Sequence, residues 1–436
     1  MAVTAPLRQN LRDEDFQDFI AGRDEPQALL EMRRAAWSRF LALGIPTTRD
    51  EAWRFTDVSP LADGGFERAG EAPWDGALPP AVAESGHRLV FVNGYFAPGL
   101  SAIGPLPGGA LAGSLQDALG RRPDLLEAYL GRLPGLENHP FAALNTAFFA
   151  DGALVYLPRG AVLEAPLHLV FVTTGRVAGY PRNLIVLETG SQAAIVEDFC
   201  GDGPYLNAPV TEIRMQDRAV LDYHQIREEA AAGWHLGGLR LRQDRDSAFT
   251  LHTVTAGGRL ARTDIAARLD GEGADCALDG LTLTEDGQLG DYHVRVDHGQ
   301  PHGTSRQRFK CILSGKSRTV FDGMIHVHPG AQKTDASQSN RNLLLSRQAL
   351  ANSNPRLEIQ ADDVKCSHGS TIGFLDPDAL FYLRSRGIAG DDARALLVRA
   401  FAGEMIDPIR LPPLRQRLEA LVAQRLNFAD SGRPSS

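Results

Sequence analysis

The stretch Asn340–Gly373, N-R-N-L-L-L-S-R-Q-A-L-A-N-S-N-P-R-L-E-I-Q-A-D-D-V-K-C-S-H-G-S-T-I-G, decides the fold. It combines an apolar strand-like run, turn punctuation at Asn354-Pro355 and Asp362-Asp363, and one thiol beside one imidazole. Residues two apart in an extended strand share a face, so Cys366 and His368 are expected to point the same way, about 6–7 Å apart along the chain. Upstream of this stretch the sequence reads as strands; downstream it reads as helix.

From about Gly152 to Gly373 no helical period appears, and short β-rich runs recur instead, among them Ala153–Leu157, His168–Thr173, Ala219–Gln225, Leu278–Thr284 and Thr319–Val327. Gly or Asp stands just before a small residue that opens a strand at Gly160-Ala161, Gly190-Ser191, Asp217-Arg218-Ala219, Asp246-Ser247-Ala248 and Gly273-Ala274. These marks recur at intervals of roughly 26 to 32 residues, enough for two or three strands per repeat. A sandwich is one reading, but a loose coil-like repeat of this length fits a parallel β-helix better. The terminal rungs of such a coil leave open edges unless another element or chain covers them.

Helical regions flank this core. Before it, Asp13 caps a short helix through Ile20, and a longer one over Glu25–Leu43 is striped by Leu29, Met32, Ala36, Phe40 and Leu43 until Gly44 and Pro46 stop it. Residues 1–150 read as a mostly helical cap or docking region, 151–374 as the β-helix core, and 375–436 as a C-terminal helical region. There Asp376 caps one helix, Asp391 starts a second with Leu396, Leu397, Ala400 and Phe401 on one side, and a third over Pro413–Leu426 carries Leu414, Leu418 and Leu421. Three such helices make too small a core alone, so apolar surface is offered to the β-region or to a partner.

Composition narrows the function classes. The 436 residues carry a net charge of -9, which argues against a nucleic-acid binder. Met1–Asn10 lacks the apolar core of a signal peptide, and no run reaches the roughly 18 apolar residues of a membrane span, so a cytoplasmic protein is expected. Cys200, Cys276, Cys311 and Cys366 are scattered and form no disulfide framework. Gly315-Lys316-Ser317 resembles the end of a phosphate loop, but Lys310 stands where the first glycine belongs, and Leu206 stands where a dinucleotide loop starting at Gly201 needs its third; no ATP binding by this chain is expected. His293, His298 and His302 cluster in sequence, and His326 and His328 share a strand face. Imidazoles suit zinc or iron, yet no Glu follows His328 as a cupin motif requires, so these are read as solvated or turn-satisfied. A carbohydrate-active β-helix enzyme, using Asp297, Arg306 and Arg308, is the alternative function, with a cupin-like metal enzyme on His326 and His328 behind it.

Lys365 beside Cys366 and His368 on its face are expected to lower the thiol pKa. The plain alternative is a small apolar group packed between rungs. Iron–sulfur clusters usually take four thiolates, so a cluster handled here needs ligands from another polypeptide.

Six segments together resemble the SufB/SufD family of iron–sulfur cluster assembly scaffolds: E-A-W-R-F-T-D-V at Glu51, L-N-T-A-F-F-A-D-G at Leu144, T-V-F-D-G-M-I-H-V at Thr319, K-T-D-A-S-Q-S-N-R-N-L-L-L-S at Lys333, A-D-D-V-K-C-S-H-G-S-T-I-G at Ala361 and L-F-Y-L-R-S-R-G-I at Leu380. The K-C-S-H-G form looks like the SufD branch. The resemblance implies a mainly β protein with a right-handed parallel β-helix between helical ends, acting as a non-catalytic subunit of a SufBCD complex. It implies pairing with SufB through the β-helix and docking of the ATPase SufC on the C-terminal helices, for which Phe381, Leu397, Phe401, Leu414 and Leu418 are candidates. It places Cys366 and His368 at the SufB interface, with His368 a candidate metal ligand for a transient iron–sulfur cluster shared with SufB. Reduced flavin at the level of the complex, indirect contact with a cysteine desulfurase and cluster carriers, and a homodimer in the absence of SufB are further implications.

Overall fold

Alternating strands build two layers that climb together. One layer runs Ala153–Leu157, Arg182–Leu187, Val210–Met215, Trp234–Gln243, Leu260–Leu269, Leu289–His298, Arg318–Val327, Leu350–Ile359. The other runs His87–Val92, Leu167–Thr174, Gln192–Asp202, Val220–Glu228, Ala248–Ala256, Asp275–Thr284, Thr304–Leu313, Asp335–Leu344, Lys365–Phe374. Each strand pairs in parallel with the strand one turn on: Leu260 faces Leu289, Leu289 faces Arg318, Asp275 faces Thr304, and Thr304 faces Asp335. Those steps of 29 to 31 residues make the middle a parallel β-solenoid and exclude a sandwich. The computed structural model describes residues 12–62, 65–83, 86–133 and 138–431, so the reading of Met1–Asn10 lies outside the described residues.

The Gly and Asp marks in the sequence prove to be one corner of the coil. Gly160, Gly190, Arg218, Asp246, Gly273, His302 and Lys333 all adopt φ between 54° and 74°, once per turn. Each donates its N–H to a carbonyl of the next rung, at 2.6–3.1 Å. Left-handed backbone turns the chain sharply there, and glycine or a short polar residue tolerates it best. At Gly273 an added Cβ would sit 2.6 Å from Asp246 Oδ1 of the rung below. The following small residues, Ser191, Ala219, Ser247, Ala274 and Thr334, are buried at the bend.

Inward-facing residues stack from rung to rung. Phe91, Phe171 and Phe199 occupy equivalent positions in the register and stack with centroids 5.0 Å apart. One end is closed. Leu111–Ser114 pairs antiparallel with the first strand of one layer, and Tyr95–Phe96 with the first strand of the other. The boundary expected at residue 150 therefore falls inside the solenoid, because His87–Val92 already pairs in parallel with Leu167–Thr174. Helices α1 (Asp13–Ala21), α2 (Gln27–Leu43), α3 (Leu115–Arg121), α4 (Pro123–Tyr129) and α5 (Pro140–Phe148) complete the N-terminal region. Phe16, Trp37 and Phe148 from α1, α2 and α5 form one aromatic cluster, which joins Leu236 and Leu260 of the first layer in a shared core.

The C-terminal helices α6 (Pro377–Ser385), α7 (Gly390–Ile406) and α8 (Pro412–Ser431) fold back on the second layer. Leu414, Leu418 and Leu421 lie in a core shared with Val196, Ile226, Val254 and Ile312. This corrects the docking assignment of Leu414 and Leu418: their stripe is covered by the solenoid itself. Arg417 on the same helix clamps the packing, donating to Asp198 at 2.7 and 2.9 Å and also bonding Glu228, while Asp198 lies 2.6 Å from His168. Burial opposes the Asp198 charge, but His168 and Arg417 outweigh it and hold the carboxyl below its ordinary value.

Replacing Arg417 by Ala leaves Asp198 ionised and poorly compensated, so a loss of about 3 kcal/mol in urea unfolding is expected. Because the carboxyl pKa is depressed on folding, this contribution is full above about pH 4 and disappears as pH falls further. A variant as stable as the parent at pH 7 would show that the clamp carries no net stability.

Candidate functional site at the open solenoid tip

The other end of the coil is open. Leu350–Ile359 and Lys365–Phe374 each pair on one side only, with Arg318–Val327 and Asp335–Leu344, and no described strand covers their free edges. Exposed apolar side chains follow them: Leu350 at 49%, Ile372 at 50%, Phe374 at 57%, then Phe381 at 74% on α6. An unpaired edge flanked by exposed apolar groups is a template for another chain.

Register sets the direction of the site residues. Cys366, His368 and Ser370 stand opposite Ala336, Gln338 and Asn340, all three buried, so the period-2 alternation aims them into the lumen at its open end. The expectation that Cys366 and His368 share a face therefore holds. Beneath them the interior changes from aromatic to polar. Gln338 Nε2 donates to Gln307 Oε1 at 2.8 Å, Asn342 Nδ2 to Asn340 Oδ1 at 2.7 Å, and Ser370 Oγ reaches across the lumen to Ser353 Oγ at 2.8 Å. Sequence reasoning missed this polar column. Its signal is the alternation at Gln338, Asn340 and Asn342 within the Lys333 segment, legible only once the inward face is known.

The thiol corrects an expectation. Cys366 is half-buried among Ile325, Val327, Leu357, Ala361 and Val364. Burial pushes its pKa up, and the carboxylate of Asp335 adds to the rise. Lys365 belongs to the opposite, outward face, where its charge does not favour the thiolate. His368 lies exposed beside it. One half-buried thiol and one exposed imidazole make a partial donor set.

Other candidates separate. His293 faces outward beside Asp291 at 3.2 Å, His298 points inward to Ser305 at 2.8 Å, and His302 occupies a left-handed corner. Asp297 lies in the first layer while Arg306 and Arg308 lie in the second, and Arg308 is held by Asp279, so the carbohydrate-enzyme constellation is not assembled. Gly315 and Lys316 form a corner between strands in which Lys316 N–H is held by Asp286, and no helix opens there. On the helices, Leu397 and Phe401 are half-buried, with Lys310 Nζ 4.2 Å from the Phe401 ring centroid, and Phe381 projects freely beside Tyr382.

Comparison with known proteins covers most of the chain. The chain matches the family model of the SufBD protein N-terminal region over residues 81–169 and that of the SufBD core domain of SUF-system FeS cluster assembly over residues 170–401. It is 35% identical to an iron–sulfur cluster assembly SufBD family protein of Synechocystis sp., covering 97% of this chain and 98% of that one. It is 31% identical to iron–sulfur cluster assembly protein SufD of Escherichia coli, covering 89% and 91%. It is 30% identical to the chloroplastic protein ABCI7 of Arabidopsis thaliana, covering 90% and 86%. No described helix is long and apolar enough to cross a membrane.

With its pKa raised, Cys366 in the isolated chain should react with iodoacetamide at pH 7.5 several-fold more slowly than free cysteine, gaining rate only as pH passes the ordinary thiol value of about 8.5. Peptide mass spectrometry reads this directly. Alkylation faster than free cysteine at pH 7.5 would mean an activated thiolate after all.

Proposed function

Starting from the SufBD family of iron–sulfur cluster assembly proteins, to which this chain belongs, we propose that it serves there as a non-catalytic scaffold subunit whose open tip is completed by a second family member. The observation that carries this reading is the unfinished last rung, with Cys366 and His368 aimed into an uncovered lumen. A partner of SufB type adds its own strands to the free edges of Leu350–Ile359 and Lys365–Phe374. Main-chain hydrogen bonds supply the pairing, and Leu350, Ile372 and Phe374 supply apolar area. The junction then gathers ligands that neither chain holds alone.

The cluster is cargo at this junction. Cys366, protonated in the free chain, yields its proton when iron arrives, since metal binding to a thiol releases it. Imidazole suits iron without that cost, and exposed His368 is free to turn toward the partner. An ATPase of SufC type docks on the C-terminal helices, where exposed Phe381, Tyr382 and Leu396 form the available surface and Leu414 and Leu418 do not. Its cycle shifts the two scaffold chains relative to each other and opens the shared site. Operation in the cytoplasm is part of the same proposal.

Replacing His368 by Ala should lower iron and sulfide assembled on the purified complex by about tenfold, the scale of losing one donor contact, without disturbing the fold. An unchanged yield removes His368 from the mechanism. Ile372→Asp together with Phe374→Asp should weaken co-purification of the SufB-type partner by about tenfold or more, since a charge is placed in a desolvated junction. Full retention would move the interface elsewhere.

A further inference from the structure

On the outer face of the first layer, near the tip, Asp297, His326 and His328 converge. Asp297 and His326 are register partners on adjacent strands, and His328 follows just past the strand end. One donor atom from each lies within 4.8 Å of the others, and the two imidazole centroids are 4.1 Å apart. Asp297 Oδ1 stands 2.9 Å from His326 Nδ1 and 3.7 Å from His328 Nε2. Ligand atoms about 2.0–2.1 Å from a tetrahedral metal are about 3.3–3.4 Å from each other, so the measured spacings bracket what one ion requires.

Two further observations point to a cation. Arg295 Nη2 lies 2.7 Å from Asp297 Oδ1 and 3.1 Å from His326 Nδ1, so a positive group already occupies the place where these lone pairs meet. His326 Nδ1 thus faces both the Arg295 guanidinium and the Asp297 carboxylate, and the other ring nitrogen of His326 is Nε2. That atom is buried without a hydrogen bond, and Glu358 Oε1 on the edge strand is 3.7 Å away. Metal-binding imidazoles regularly direct their second nitrogen to a carboxylate, and Glu358 is placed for that part. The Arg295 side chain is half exposed, so it can withdraw into water when a metal replaces it.

We propose that Asp297, His326 and His328 form a site for one divalent transition-metal ion such as zinc or iron(II), with water completing the coordination. Two imidazoles and one carboxylate select such ions over magnesium or calcium. The missing Glu after His328 is replaced by a carboxylate one rung earlier, 29 residues upstream of His326. The site is separate from Cys366 and His368, which face the lumen.

Co2+ is the probe, titrated anaerobically into the purified full chain carrying Cys366→Ser and His368→Ala, with visible absorption and equilibrium dialysis as readouts. One equivalent is expected to bind, excess Mg2+ not to displace it, and Asp297→Asn or His328→Gln each to weaken binding by about tenfold or more. The His328 side chain is 39% exposed, so its replacement leaves the fold intact, which circular dichroism checks. No Co2+ binding in the parent, or undiminished affinity in the His328→Gln chain, overturns the site.

Discussion

Every rung of this protein depends on the backbone pairing offered by the rung beside it. A strand carries obligatory donors and acceptors along both edges, and parallel stacking at a near-constant step satisfies them for the whole middle of the chain. The requirement has no natural end. At one terminus it is met by antiparallel strands from the N-terminal region; at the other, Leu350–Ile359 and Lys365–Phe374 are left with free edges. That asymmetry gives the molecule a direction.

The rest of the architecture serves this coil. Left-handed corners keep successive turns aligned, and aromatic residues fill the lumen where the stack is closed. Helices cover the outer faces. Their attachment combines apolar burial with charged clamps such as Arg417 on Asp198, where a guanidinium compensates a carboxylate that burial alone would discharge. Helix α8 is thus part of the fold, and the apolar surface the helices leave exposed lies on α6 and one side of α7, carrying Phe381, Tyr382 and Leu396. An amphipathic stripe states that a helix face is covered; it does not state by what.

Near the open tip the interior becomes polar, and the only thiol in the last rung is half-buried there. Membership of the SufBD family connects the chain with iron–sulfur cluster assembly. The inward face of the last rung alternates Cys366, His368, Ser370, Ile372 and Phe374, so two of five positions carry soft or nitrogen donors.

What sequence alone determined here is periodic or local. The step between corner residues, the shared face of Cys366 and His368, and the helices after Asp376 all follow from spacing along the chain, because strand alternation, left-handed turns and caps act over a few residues. Tertiary structure decided whatever depends on which rung lies beside which. It separated His293, His298 and His302, brought Asp297 to His326 from 29 residues away, buried Leu414 and Leu418, and raised the Cys366 pKa by setting apolar side chains and Asp335 around it. Burial and through-space charge are properties of neighbours in space, and no local pattern carries them.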